Sequence, residues 1–321
     1  MTKVLIIGGG GMVGQKLSTR LAEEPLGDAD EVTLFDMVMP ENGAPAAHQV
    51  LGNVTDRAAF ETLLKARPDV IYYLVAIVSG EAETDFDLGW SVNMTAFATF
   101  LDVVRKETET GDAYKPKIVF TSSIAVFGAP FPEKIDDTFF QAPLTSYGAQ
   151  KAMSELMLSD YIRKGFVDGV SIRLPTICVR PGKANKAASS FFSGIIREPL
   201  NGLDAILPVS DEVRHWHASP RTAAGFLRHA ATLDQAVYEN RPALNMPGVS
   251  CTVAEQIEAL REIAGNDVVA RIRPEPDPAV IAIVKNWPRN FAPERSKTFG
   301  FTAEERFHDI IRVYLNDDFT G

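Results

Sequence analysis

The chain has 321 residues, of which 45% are hydrophobic and 23% charged, and its formal net charge is −10 at pH 7. This composition is typical of a soluble globular protein. The length exceeds the ~250 to 300 residues that one hydrophobic core usually holds, so two lobes are predicted. The acidic balance argues against general binding to nucleic acid or to an anionic membrane surface.

The cysteines and the apolar runs indicate the compartment. The two cysteines, Cys178 and Cys251, lack a CxxC spacing, so neither a disulfide framework nor a zinc ribbon is predicted. The N-terminal stretch "MTKVLIIGGGG" is too briefly apolar for a signal peptide, and "VIYYLVAIV" is only about half as long as a membrane span. We expect a cytoplasmic protein without membrane segments.

Short aliphatic runs alternate with amphipathic stretches through the first half of the chain. The predicted strands, in chain order, are KVLIIG, EVTLFD, HQVLGNV, DVIYYLVAIV, KIVFTSS and GVSIRLPTICV. Their near-continuous apolarity is typical of strands buried on both faces. Helical patterns cover residues 12–23, 57–66, 92–109 and 147–164. The alternation predicts an α/β fold with a doubly wound parallel sheet of the Rossmann type.

A glycine run, "LIIGGGGMVG", follows the first predicted strand and opens the first predicted helix. Gly9, Gly11 and Gly14 fit the spacing GxGxxG, while Gly8, Gly11 and Gly14 fit GxxGxxG. In a dinucleotide fingerprint Gly8 and Gly9 make the turn, Gly11 lets the backbone approach the pyrophosphate, and Gly14 lets helix and strand pack closely. The alternative is a tight turn without a ligand.

Three further residues favour the dinucleotide interpretation. The amides of Met12 and Val13 would face an anion at the helix N-terminus. Asp36 ends the next strand, about 20 residues downstream, where a carboxylate accepts hydrogen bonds from the adenosine ribose. A carboxylate there repels a 2′-phosphate, and no arginine follows it closely, so the predicted cofactor is NAD and not NADP.

A catalytic set is predicted from the fifth strand and the helix that follows it. Tyr147 and Lys151 in "SYGAQK" are four residues apart, so they share one face of a helix, and Ser123 lies at the C-terminal end of "KIVFTSS". A tyrosine with a pKa near ~10 needs a neighbouring cation to act as a base at neutral pH. Lys151 would supply it, Tyr147 would take a substrate proton, and Ser123 would hold the substrate oxygen. An isolated YxxxK pair on a solvated helix face is the alternative.

The substrate segments are predicted less directly. The loop "VSGEAETDFDLGW" would overhang the active site, with Ser79 and Gly80 against a small polyol. After the last buried strand, basic residues could orient an anion, or they could form a solvated loop. These basic residues are Arg180, Lys183, Lys186 and Arg197.

The second half is broken by prolines into short pieces, with one longer amphipathic segment at 221–233. It predicts a smaller, interleaved α/β substrate lobe. We assign residues 1–176 and 211–248 to the NAD-binding domain and residues 177–210 and 249–321 to the substrate-binding lobe. His215 and His217 alternate on one strand but lack a third ligand at a convincing spacing, so no metal site is predicted.

Taken together, these motifs resemble the extended short-chain dehydrogenase/reductase family, which includes the nucleotide-sugar epimerases. The resemblance extends through "NVTD", "YLVAIV", "SVNMT", "TSSIAVFG", "SYGAQK" and "RLPTICVRPG". It puts Ser123, Tyr147 and Lys151 on catalytic positions. It also implies a homodimer packed through the helices that carry Asn93 and Tyr147. The further cofactor contacts that it implies are Asn53, Val54, Leu74, Val75, Ala76, Asn93, Pro175 and Ile177.

Within this family, several segments are similar to members that oxidise the 2-hydroxyl of a small sugar acid with NAD. These segments are "VSGEAE", "SSIAVFG" and "RLPTICVRPGKANKAASSFFSGIIREPL". The resemblance implies Ser79, Thr176, Arg180 and Lys186 as substrate contacts. Sugar dehydration is disfavoured, because Ile124 and Ala125 replace the acidic pair that dehydratases carry there. A nucleotide-sugar epimerase that retains NAD and a redox-sensing module without catalysis are the alternatives.

Overall fold

The protein is described by a computed structural model over residues 1–46, 48–110, 113–182 and 188–320. The strands are β1 Thr2–Ile7, β2 Asp30–Asp36, β3 His48–Leu51, β4 Val70–Tyr73, β5 Lys117–Ser123, β6 Ile135–Asp136, β7 Asp168–Leu174, β8 Thr176–Ile177, β9 Ala205–Leu207, β10 Arg214–Ala218, β11 Ala243–Asn245, β12 Val249–Thr252, β13 Ile272–Pro274 and β14 Phe291–Ala292.

The α-helices are α1 Met12–Glu23, α2 Arg57–Leu64, α3 Ser79–Thr84, α4 Phe86–Gly89, α5 Ala96–Thr108, α6 Ser146–Arg163, α7 Ser190–Leu200, α8 Pro220–Thr232, α9 Val253–Ala264, α10 Asn266–Val269, α11 Pro278–Val284, α12 Glu294–Thr298 and α13 Phe307–Asp317. A π-helical segment covers Trp90–Thr95, and 3₁₀ turns cover Ile124–Val126 and Gln235–Tyr238.

The central sheet has seven strands in the order β11-β7-β5-β4-β1-β2-β3. Strand β1 pairs in parallel with β2 on one side and with β4 on the other. The winding of the chain therefore reverses between β1 and β4, and ligands of open α/β sheets bind beyond the carboxyl ends of the strands at such a point. The predicted α/β class and the Rossmann-type sheet are confirmed.

The chain divides into two compact units, and the first unit carries the central sheet. It comprises Met1–Val126, Thr145–Arg173 and Ala224–Leu244. Apolar residues of β1 and β4 are buried against a group of aromatic rings that includes Phe97, Phe100 and Phe120. The Tyr73 ring lies 4.8 Å from that of Phe97, centroid to centroid. This packing fixes the two strands between which the winding reverses.

The second unit comprises Phe127–Leu144, Leu174–Ala223 and Asn245–Gly321. It holds a three-stranded sheet in the order β12-β10-β8, and its core is formed largely by α7, α9 and α13 around β10 and β12. Four segments predicted for the first domain, residues 127–144, 174–176, 211–223 and 245–248, fall in this unit. None of the helices in the described ranges is long and apolar enough to cross a membrane.

Two predicted strands differ from the observed ones in length or burial. The third strand is exposed at all four residues of β3, because it is the edge of the sheet and pairs only with β2. The run predicted as one strand over 169–179 is two strands. It breaks at Pro175, which has no N–H to donate to a ladder. Beyond that proline, β8 pairs with β10 and not with the central sheet.

The segment after β4 also differs from the prediction. The fourth strand ends at Tyr73 and not at Val78. The predicted overhanging loop at 78–90 is two short helices, α3 and α4. Asp85 begins α4, where its carboxylate accepts a hydrogen bond from the Leu88 amide at 3.0 Å. The presence of an acidic residue at position 85 is thus explained by its role as a helix cap.

Candidate active site

The glycine run forms a tight connection from β1 to α1. Gly8 has φ = +94°, a conformation that favours glycine. A Cβ on Gly14 would lie 2.4 Å from the Gly8 carbonyl oxygen, and one on Gly9 would lie 2.7 Å from the Leu34 Cβ. These glycines are therefore required by the packing of the loop against β2 and α1.

Gly11 is different, because the protein itself does not require a glycine there. A Cβ on Gly11 would meet only the Gly8 carbonyl oxygen, at an ordinary contact distance of 3.5 Å. Its φ of −74° is one that any residue adopts. Gly11 begins α1, whose first amides, from Met12 onward, lack partners within the helix. The space above Gly11 and these amides fit the pyrophosphate of the predicted dinucleotide.

Asp36 ends β2 beside this loop. Its Oδ2 accepts a hydrogen bond from the Gly10 amide at 3.0 Å, and its Oδ1 accepts one from the Met37 amide at 2.7 Å. The carboxylate is half-buried, and each oxygen has a further lone pair. Asp36 therefore holds the glycine loop in place and still has acceptor capacity for ribose hydroxyls.

The two residues predicted for the adenine pocket differ in exposure. Asn53 is exposed, and its Oδ1 accepts from the Thr55 amide at 3.0 Å. Val54 is buried in the same apolar cluster as Leu5 and Phe35. The side chain of Asn53 is thus the accessible one, and that of Val54 is part of the core.

Asn93, in the π-helical segment, fixes the loop that leaves β4. Its Oδ1 accepts from the Ile77 amide at 2.8 Å, and its Nδ2 donates to the Ile77 carbonyl at 3.0 Å and to Gln150 Oε1 at 2.7 Å. The side chain is buried, so it lies behind the loop and positions it. Leu74, Val75 and Ala76 are half-buried in this loop. π-Helical turns are frequent at functional sites, and this one carries Asn93, which holds the loop after β4.

Ser123 and Tyr147 lie at the ends of two adjacent elements. Ser123 is the last residue of β5, and its Oγ accepts from the Ala125 amide at 3.1 Å. Tyr147 is in the first turn of α6, which begins after Thr145, whose hydroxyl accepts from the Gly148 amide. At the start of the same helix, the Glu83 carboxylate of α3 accepts a hydrogen bond from the Ser146 amide at 2.9 Å. Both Ser123 and Tyr147 are half-buried.

Lys151 is the most buried member of the set, with 2% of its surface exposed. Its Nζ donates to the Thr121 carbonyl at 2.8 Å and lies 4.7 Å from the centre of the Phe120 ring. The distance from Nζ to the centre of the Tyr147 ring is 5.7 Å. Burial lowers the pKa of Lys151 to about 7, and the charge of Glu155 opposes that shift. Lys151 thus joins Tyr147 of α6 to the strand that ends in Ser123.

Sequence reasoning missed a buried ion pair next to this set. Glu155 lies one turn after Lys151 on α6, and Arg173 of β7 binds its carboxylate with two guanidinium nitrogens. The Ser122 hydroxyl donates to the same carboxylate. The spacing of Lys151 and Glu155 is visible in the sequence, but nothing there indicates that Arg173 reaches them.

The second unit holds the remaining predicted contacts. Thr176 Oγ1 lies 2.7 Å from His215 Nε2, and burial lowers the pKa of His215 to about 3. His215 is therefore neutral at pH 7 and stacks on Phe192 at 5.1 Å between ring centroids. Pro175 is buried, and Ile177 pairs with Ala218 in the β8–β10 ladder.

The predicted basic cluster is only partly available to a ligand. Arg197 is buried, donates to the Arg180 carbonyl at 2.8 Å and pairs with Glu198. Its guanidinium holds the Arg180 segment in place and is engaged within the protein. Arg180 itself is half-buried. Lys183 and Lys186 lie outside the described residues.

His215 and His217 form a buried pair of rings, 5.3 Å apart between centroids. His217 Nε2 lies 2.9 Å from the side-chain amide of Gln256. Across the ranges that the structure describes, no group of three or more His, Cys, Asp or Glu side chains could hold a metal ion.

A comparison with known protein families identifies the family to which the chain belongs. The NAD dependent epimerase/dehydratase family matches residues 4–237. The chain belongs to this family. It is an NAD-dependent oxidoreductase, and the matched region includes the glycine loop, Asp36 and the predicted residues Ser123, Tyr147 and Lys151.

Individual members of the family resemble the chain over almost its whole length. A protein named D-erythronate dehydrogenase from Cupriavidus necator is 42% identical over 98% of each chain. One of the same name from Haemophilus influenzae is 39% identical over 98% of this chain and 99% of its own. A solved structure from Agrobacterium tumefaciens, named a nucleoside-diphosphate-sugar epimerase, is 51% identical with a TM-score of 0.93, covering 98% of this chain and 94% of its own.

Proposed function

We propose that this protein oxidises the 2-hydroxyl of a small sugar acid with NAD, converting D-erythronate to 2-oxo-erythronate. The observation that carries the proposal is the buried Lys151 Nζ, 5.7 Å from the centre of the Tyr147 ring and bonded to the strand that ends in Ser123. The two relatives named D-erythronate dehydrogenase support the choice of substrate.

Most of the residues that would hold NAD belong to the first unit. The α1 amides beyond Gly11 would bind the pyrophosphate, Asp36 the adenosine ribose, and Asn53 with Val54 would border the adenine. The loop of Leu74, Val75 and Ala76, fixed from behind by Asn93, would flank the nicotinamide end. Pro175 and Ile177 are proposed as further contacts there. When bound, NAD accepts a hydride from the carbinol carbon.

Tyr147 is the proposed base. Its phenolate takes the proton of the substrate 2-hydroxyl and becomes the phenol, and the Lys151 ammonium favours the phenolate form near neutral pH. Ser123 donates a hydrogen bond to the same substrate oxygen and orients it. The Thr121 carbonyl and the Phe120 ring hold Lys151 so that its charge stays beside the phenol.

The proposed substrate contacts are Ser79, Thr176, Arg180 and Lys186. Arginine presents a planar fork that suits a carboxylate, and Arg180 is held by its backbone: its amide donates to Ser193 Oγ at 3.0 Å and its carbonyl accepts from Arg197. Replacement of Arg180 by methionine is expected to raise KM for sugar acids at least about tenfold, since a charge-assisted bond to the carboxylate is lost.

The test is a panel of C4 to C6 aldonates with NAD and with NADP, followed at the reduced-nicotinamide absorbance band. We expect turnover with D-erythronate and NAD, a much weaker rate with NADP, and a 2-oxo acid identifiable by mass spectrometry after trapping with a hydrazine. No reduced cofactor with any aldonate would rule the proposal out.

The second candidate is a nucleotide-sugar epimerase, favoured by the similarity to the Agrobacterium protein that bears such a name. An epimerase returns the hydride to its product, so it retains NAD and gives no net reduction. Protein purified with bound cofactor, stabilised against heat by UDP-sugars and silent towards aldonates would support this candidate instead.

We also propose a homodimer packed through the helices that carry Asn93 and Tyr147. In support, large apolar side chains are exposed on and near these helices, Phe86 at 55% and Leu156 at 65%. Leu156→Glu is expected to shift the protein from dimer to monomer in light scattering. An unchanged mass for this variant, or a monomeric wild type, would contradict the proposal.

A further inference from the structure

The ion pair of Glu155 and Arg173 is buried below the catalytic set. The Glu155 side chain is 2% exposed and that of Arg173 is 12% exposed. The Arg173 Nε donates to Glu155 Oε1 at 3.0 Å, and Nη2 donates to Oε2 at 2.7 Å. The Ser122 hydroxyl donates to Oε1 as well. One carboxylate thus joins α6, β7 and β5.

This pair is better explained by its location than by its contribution to stability. Buried ion pairs often contribute no more to folding than apolar residues of the same volume, because two charges must be removed from water. Glu155 is one helical turn from Lys151, on the same face of α6. Lys151 bonds to Thr121 and Glu155 to Ser122, which are consecutive residues of the strand that ends in Ser123.

Most of the other charged groups on α3, α4, α5 and β5 are engaged elsewhere, and Glu81, Asp87 and Glu107 complete this set. Glu83 of α3 accepts from the Ser146 amide, and Asp85 caps α4. On α5, Asp102 pairs with Arg57, Arg105 and Lys106. Lys117, at the far end of β5, donates to the Ala231 and Leu233 carbonyls. The π-helical segment and the 3₁₀ turn at 124–126 carry no charged residues.

We propose that Glu155, held by Arg173 and Ser122, is a positioning residue that keeps the Lys151 ammonium charged beside Tyr147. The inference rests on the proposed function in one respect, because the charge on Lys151 matters for catalysis only if Tyr147 is the base. It goes beyond that function in assigning a role to three residues that do not contact the reacting groups.

The proposal predicts opposite effects for the two partners of the pair. Burial lowers the pKa of Lys151 and Glu155 raises it. Glu155→Gln removes the attracting charge while the positive charge of Arg173 stays nearby, so the pKa of Lys151 falls further. Arg173→Gln removes the positive charge that offsets the Glu155 carboxylate, so this carboxylate attracts the Lys151 ammonium more strongly and the pKa of Lys151 rises. A role limited to packing would destabilise both variants without moving the lysine in opposite directions.

The experiment is an NMR titration of cofactor-free protein labelled with ¹³C at the lysine Cε, with the Lys151 signal assigned from its loss in Lys151→Met. We expect the Lys151 midpoint to shift by about one pH unit or more, downward in Glu155→Gln and upward in Arg173→Gln. The Lys151 midpoint of the double variant should lie between the midpoints of the two single variants. Unchanged midpoints, or shifts of the same sign, would overturn the proposal. If Glu155→Gln does not fold, Arg173→Gln alone decides, since an unchanged or lowered midpoint contradicts it.

A second readout connects the pair to turnover. With D-erythronate and NAD, the pH at which kcat declines on the alkaline side should move in the same directions as the NMR midpoints. If the wild type does not turn over any aldonate, the proposed function fails while the NMR midpoints still test the pair. If turnover is normal and the midpoints do not move, the role of the pair fails and the function stands.

Discussion

The Lys151 ammonium nitrogen lies 5.7 Å from the centre of the Tyr147 ring, four residues earlier on the same helix. The two residues differ in environment, since Lys151 is buried beneath the end of β5 while Tyr147 is half-buried at the start of α6. Burial lowers the pKa of Lys151 to about 7. The Lys151 side chain is therefore close to half-protonated at neutral pH in the free protein, and the charges around it determine how much of the ammonium form is present.

The glycine loop provides a matched pair of variants. Gly11→Ala is expected to fold with a free energy of unfolding within about 1 kcal/mol of the wild type, because its Cβ has space and its φ is ordinary. Its affinity for NAD should fall at least about tenfold, because the Cβ fills the cradle of the pyrophosphate. Gly14→Ala should instead destabilise the fold by about 1–3 kcal/mol, since its Cβ would overlap the Gly8 carbonyl.

Calorimetric binding of NAD and chemical denaturation measure the two effects separately. An alanine at position 11 that binds NAD as tightly as the wild type would show that this glycine does not face the cofactor.

The pH dependence of stability follows from the burial of Lys151. Its pKa is about 7 in the folded protein against 10.5 as the ordinary value, so the unfolded chain binds an additional proton between those limits. The stability of the wild type relative to Lys151→Met should therefore rise with pH through this window, with a slope of at most about 1.4 kcal/mol per pH unit. Below pH 7 the full penalty of burying the charge remains.

Denaturant unfolding of both proteins from pH 6 to 10 measures this difference. Lys164→Met, which removes an exposed lysine just after the same helix, is the control. A difference between the wild type and Lys151→Met that is flat across pH 7 to 10 would contradict the burial argument.

Thr176 and His215 form a pair whose stability contribution can be measured. Thr176→Val removes the hydroxyl that lies 2.7 Å from His215 Nε2 and leaves a buried ring nitrogen without this partner. The expected loss is about 1–3 kcal/mol in the free energy of unfolding. Thr176→Ser keeps the hydroxyl and should recover most of it. Equal stability of the valine and serine variants would show that the hydrogen bond contributes nothing.

Much of the fold is predictable because local patterns and tertiary structure agree in the first unit. The helix at 12–23 and the strand at 117–123 have the predicted limits. The position of Tyr147 and Lys151 beside the end of β5 is likewise predictable, since ligand sites of parallel sheets lie at the carboxyl ends of the strands. In these regions hydrophobic periodicity and the turn residues indicate the same structure.

The prediction of one long strand through residue 78 was wrong for a reason that the sequence does not show. Residues 74–78 are as apolar as a buried strand, but Asn93 takes both the amide and the carbonyl of Ile77. A side-chain amide thus replaces a neighbouring strand, and the backbone leaves the sheet. The Glu155–Arg173 pair was missed for a similar reason, because a contact between residues on different elements has no local pattern.

The most direct test of the account is the comparison of Tyr147→Phe with the wild type. With D-erythronate and NAD, we expect kcat to fall by about 10² to 10⁴-fold, the range for loss of a general acid or base. NAD affinity measured by calorimetry should remain within about twofold, because only a hydroxyl is removed. A phenylalanine variant that keeps wild-type turnover would contradict the assignment of Tyr147 as the base and, with it, the catalytic role of Lys151.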